Sequence, residues 1–178
     1  MGELLRCRPL MAAASGEAAP LYPLADGVHN FSSSGSITVS DGKHVDFVRT
    51  AGGGSNLYAA IYPLSANTAN ITSSDNILRV SDTWFRLNAG DTVTLVIENN
   101  TGTGSASHNM RIRLHSVTTD ALATVIDTQD FKRNLATKSV TTVLENDANI
   151  GSLSIWMMSF NSKQSFDISL FVNGKRYI

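Results

Sequence analysis

The chain has 178 residues, the length of one ordinary domain, with 14 Lys+Arg against 15 Asp+Glu and a formal net charge of -1. Only 16% of residues are charged while 42% are hydrophobic, and much of the polarity comes from 21 Ser, 16 Thr and 14 Asn. So neutral a chain lacks the basic footprint of a direct nucleic-acid binder, the single Cys7 excludes an internal disulfide framework or Cys-rich zinc site, and no stretch reaches the roughly 18 apolar residues of a membrane helix.

Residues 1–30 read as an extended N-terminal arm. Glu3, Arg6, Arg8 and Pro9 interrupt the apolar run that a secretory signal peptide needs, so none is expected. Leu4, Leu5, Leu10, Met11, Leu21, Tyr22 and Leu24 give the arm more apolar surface than a solvated tail requires, which points to docking on a partner subunit.

From Phe31 onward the hydrophobic period is two, and residues 31–178 are expected to form one domain. Short alternating runs occur at Ser36–Ser40, His44–Thr50, Leu57–Tyr62 and Thr83–Leu87. Val93, Leu95 and Ile97 follow, then Met110, Ile112 and Leu114 against Arg111, Arg113 and His115. The stretch Asp120–Ala136 fits either a strand or a helical turn, and strands resume at Lys138–Leu144 and at Phe166, Ile168, Leu170 and Val172. Asp41-Gly42, Ala89-Gly90-Asp91 and Asn173-Gly174 supply the positive φ angles of tight turns. This spacing predicts an all-β fold: a single antiparallel β-sandwich, or jelly roll, of about eight to ten strands.

One segment breaks the half-buried rule. Leu153, Ile155 and Met157 are assigned to the core, which turns Trp156, Met158 and Phe160 outward where a monomer should be polar. That face is expected to be covered, by the arm, a loop or a neighbouring subunit. Trp156, Met158 and Phe160 therefore join the arm as the expected assembly interface.

Motifs for chemistry are sparse. His44 and Asp46 sit two apart and share a strand face, but no third metal ligand lies near them in sequence. His115 with Arg111 and Arg113 forms a small cationic stripe on an expected solvated face. No nucleophile elbow, P-loop, dinucleotide fingerprint or H-E-x-x-H occurs, so no enzyme, cofactor or metal is expected. Trp84 and Arg86 alternate with Phe85 and Leu87 and are expected to point outward together, as a glycan platform would.

The run Phe85-Arg-Leu-Asn-Ala-Gly-Asp-Thr-Val-Thr-Leu-Val-Ile97 resembles the strand, Gly-Asp corner, strand element of jelly-roll domains of the C1q/tumour-necrosis-factor type and of phage virion modules. With the apolar arm, the Ser/Thr/Asn-rich sandwich and the few charges, the chain resembles small phage structural proteins of the capsid-decoration, fibre or spike type. That resemblance implies a homo-oligomer in the virion, assembled in the host cytoplasm. Its partners would be a capsid or other virion protein through the arm and, alternatively, a host-surface glycan or receptor through Trp84 and Arg86.

Overall fold

A computed structural model describes residues 19–32, 35–49, 57–61, 83–102, 109–117, 124–132, 135–157 and 163–178. Among these residues the chain is all-β with no helix. The strands are β1 (Gly27–Ser32), β2 (Gly35–Ser40), β3 (His44–Arg49), β4 (Leu57–Ile61), β5 (Phe85–Leu87), β6 (Thr92–Gly102) and β7 (Asn109–Ser116). They continue as β8 (Thr124–Asp127), β9 (Phe131–Lys132), β10 (Lys138–Val143), β11 (Ala148–Met157), β12 (Lys163–Val172) and β13 (Lys175–Arg176). Of the stretch Asp120–Ala136, the described residues form no helix but two strands, β8 and β9, both paired with β7. Among the described residues the thirteen strands exceed the expected eight to ten because β1 begins in the segment read as the arm and β9 and β13 are two-residue pairings, too short to leave an alternation in the sequence.

Two antiparallel sheets face each other as a β-sandwich. The first has the order β1-β2-β3-β12-β6-β10, with β13 on β12; the second has the order β4-β11-β7-β8, with β5 on β11 and β9 on β7. The pairs are nested in sequence: β3 with β12, β4 with β11, β6 with β10, β7 with β8. At the margins β1 runs beside β4 and β10 beside β8.

The alternation explains the core. Ile37, Val39, Val45, Phe47, Val93, Leu95, Ile97, Phe166, Ile168 and Leu170 project from the first sheet and are buried. Leu87, Met110, Ile112, Leu114, Ile150, Leu153, Ile155 and Met157 meet them from the second. The inward assignment of Leu153, Ile155 and Met157 is met. Each such side chain contributes about 1.5–3 kcal/mol relative to exposure, before chain entropy is set against it.

The Gly90-Asp91 corner carries the chain from β5 in one sheet to β6 in the other. Gly90 has φ 88°, and Asp91 accepts from the Asn88 amide at 2.8 Å and from Asn173 Nδ2 at 2.8 Å. Asn173 Oδ1 in turn accepts from the Thr92 amide at 2.9 Å. The corner is thereby tied to the Asn173-Gly174 hairpin, whose residues have φ 50° and 77°.

The sandwich begins earlier than residue 31. The Tyr22 amide donates to the Tyr177 carbonyl at 2.7 Å, and the Leu24 amide to that of Gly42 at 2.8 Å. Leu24 is a core residue and Tyr22, half-buried, packs against the core, so both make contacts within the chain. Leu21 stays exposed, while Leu4, Leu5, Leu10 and Met11 lie outside the described residues.

Gly42 closes this junction. It has φ 65°, and a Cβ there would stand 2.7 Å from the Pro23 Cβ. Gly42→Ala should lower stability in urea unfolding by about 2 kcal/mol through strain plus displacement of the leading segment. Gly90→Ala, with φ 88° but nothing within 4 Å, should cost only about 1 kcal/mol.

Candidate functional site

A one-residue bulge in β6 organises a polar cluster on the outer face of the first sheet. Ser165 pairs with Thr101 but Asp167 pairs with Glu98, so β6 carries an extra residue between them. Asn99 takes it up with φ 52°, a left-handed conformation that asparagine tolerates better than most side chains. The bulge sends two neighbouring asparagines opposite ways. Asn99 Nδ2 donates outside to Asp167 Oδ2 at 2.8 Å. Asn100 is buried, donates to the Leu135 carbonyl at 2.9 Å and accepts from Gln164.

Around Asp167 the register brings together what sequence distance separates. His44 is its direct cross-strand partner, with Nδ1 2.6 Å from Asp167 Oδ1. Asp46 and Ser165 form the next pair, and Ser165 Oγ donates to Asp46 Oδ1. His44 Nε2 and Lys163 Nζ each lie 3.9 Å from the same Asp46 oxygen. Burial pushes the Asp167 carboxyl up, but the hydrogen bonds from His44 and Asn99, aided by the charges of His44 and Lys43, outweigh it and hold the group below its ordinary range.

This constellation includes the expected His44–Asp46 neighbours and adds Asp167, Asn99 and Ser165. Its carboxylates are occupied by donors of the protein, and the Ser165 hydroxyl points its proton at Asp46 rather than presenting oxygen to His44. A His–Asp pair orients an imidazole for general-base work only when a nucleophile stands within reach of Nε2, and here Nε2 faces a carboxylate. Among the described residues no group of three His, Cys, Asp or Glu is placed to hold a metal ion. The geometry clamps β3, β12 and β6 together.

The outer face of the second sheet differs from the expected solvated stripe. Arg111 Nε donates to Asp127 Oδ1 at 2.7 Å, its Nη2 donates to Asp127 Oδ2, and Arg113 Nε reaches Oδ2 at 3.1 Å. Burial pushes the Asp127 carboxyl up, yet the Arg111 hydrogen bond and the Gln129 amide lead the contributions that bring it below normal. That hydrogen bond also raises the Arg111 guanidinium above its ordinary value, against the opposing effect of burial. His115 is only 2% exposed, with Nε2 2.6 Å from Ser154 Oγ, so it does not belong to a wet face. Trp156, across from Arg111, is half-buried on the same side; Met158 and Phe160 lie outside the described residues.

The Trp84 and Arg86 platform is corrected. Trp84 is 7% exposed, with its ring 4.7 Å from that of Phe85. Arg86 is exposed and bound to Asp147 at 2.6 Å. Strand alternation governs Phe85 to Leu87, but Trp84 precedes that strand and is free to turn inward beside Phe85. Tyr22 and Tyr177 complete this aromatic cluster, 5.1 and 5.3 Å from Phe85.

Asp167→Ala leaves His44 and Asn99 without their shared acceptor and should cost about 1–3 kcal/mol in chemical denaturation. Because the folded carboxyl is depressed, its contribution is complete above the unfolded value near 3.8 and fades as pH falls through the lower folded value. The variant should therefore lose stability most at neutral pH and show a shallower acid limb in a pH series of unfolding curves. Comparison with known proteins finds no family model, no curated protein and no solved structure that matches the chain, so the functional reading rests on its own residues.

Proposed function

We propose that the protein is a non-enzymatic structural subunit of a virion or similar assembly, built on a jelly roll and attached through its N-terminal arm. The nested pairing of β3 with β12, β4 with β11, β6 with β10 and β7 with β8 carries this reading. Divided between facing sheets as β3-β12-β6-β10 and β4-β11-β7-β8, it is the arrangement of one long hairpin rolled over a core, which supports the jelly roll. The outward polar groups described above answer one another rather than converge on an open catalytic centre, as suits a subunit recognised by shape.

Since Tyr22 and Leu24 are engaged within the chain, the anchoring role falls to Leu4, Leu5, Leu10 and Met11. The function is then attachment to a capsid or other virion protein and association with further copies of the chain. Light scattering after size exclusion, on the full chain and on one lacking residues 1–18, tests it. The full chain should run as a discrete oligomer, and the truncated chain should fall to lower mass with an unchanged melting midpoint. A full chain that stays monomeric, with mass and stability unaltered by truncation, overturns the proposal.

A further inference from the structure

On β7, Met110, Ile112 and Leu114 point to the core, so His115 projects from the opposite side of the strand. Its direct partner across the ladder is Ser152, because β11 carries a bulge between Ile150 and Ser152. Ser152 is fully buried and Ser154 is 6% exposed, so this patch of the outer face is shielded from water within a single chain. His115 Nε2 meets Ser154 Oγ at 2.6 Å, while His115 Nδ1 and Ser152 Oγ are buried without a hydrogen-bond partner.

We propose that His115 is an acid-sensitive latch: as a neutral ring it ties β7 to β11, and on gaining a proton it releases the outer face of the second sheet while the core between the sheets persists. An imidazolium has two N–H donors, and in the neutral-ring geometry no acceptor stands within hydrogen-bond distance of Nδ1. The surrounding charge adds to the difficulty. Its own strand supplies the cations Arg111 and Arg113. β8 supplies Asp127, already bound by both arginines, with Asp130 near Arg111, and β11 supplies only the hydroxyls of Ser152 and Ser154. In keeping with this, the ring is pushed down from 6.5 to about 4, chiefly by burial and then by repulsion from Arg113, with Asp127 offsetting part.

The sign follows from linkage. The folded value lies below the unfolded one, so the neutral latch contributes fully above about 6.5 and weakens as pH falls toward about 4. This window lies above that of Asp167 and is separable from it. The test combines an NMR titration of the histidine rings with hydrogen exchange, corrected for intrinsic rate, from about pH 7 to about pH 4. Exchange in Asn109–Ser116 and Ala148–Met157 should rise on the order of 100-fold while Lys163–Val172 stays protected, and His115→Gln should abolish the rise. A His115 ring titrating near 6.5, or an equal rise in His115→Gln, overturns the proposal. If that variant does not fold, the ring titration of the unmodified chain decides alone.

Discussion

Each sheet of this protein is apolar along one side only, and that side cannot stand in water, so the first constraint is that the two sheets must face each other. Everything else is arranged around meeting it. Ile97, Ile168 and Phe166 from one sheet need Ile112, Ile155 and Met157 from the other, and the chain must cross between layers to supply them. The crossings are where backbone geometry becomes exacting. Gly90-Asp91 turns the chain from β5 to β6, and the side chains of Asp91 and Asn173 accept from the Asn88 and Thr92 amides that the turn leaves open.

The outer faces then follow a different rule. They are not evenly wetted polar surfaces but sets of cross-strand clamps. His44, Asn99 and Asp167 bind three neighbouring strands of the first sheet, and Asp127 gathers Arg111 and Arg113 on the second. With 16% of residues charged, the chain has few ions, and those on these faces are largely engaged with one another. A surface built this way offers shape and neutral hydroxyls to a partner more than it offers field.

Local chemistry was legible in the sequence and distant pairing was not. Met110, Ile112 and Leu114 betrayed their strand through a period of two, and Asp41-Gly42 its turn through residues that accept φ of 54° and 65°. His44 and Asp46 were visible as neighbours on one face. Asp167 lies 123 positions from His44, and only the pairing of β3 with β12 makes them touch. The partner of the arginine stripe is hidden for the same reason, since Asp127 belongs to a different strand. The burial of Trp84 and His115 is hidden by another cause. Alternation states which side of a strand a residue takes, but not where the strand begins or whether its outer side is wet.

The clasp between the leading segment and the last residues has a mechanical consequence. Tyr22 is bonded to Tyr177, Tyr177 to Leu170, and Leu170 lies in β12, which pairs with β6 beside Leu170 and with β3 over its first half. Tension applied upstream of residue 19 reaches β12 by this route as well as through β1 at the rim. A rim strand pulled alone gives way one bond at a time, like a zip. A chain pulled by its leading end thus hangs partly from the middle of the first sheet, where several ladders share the load.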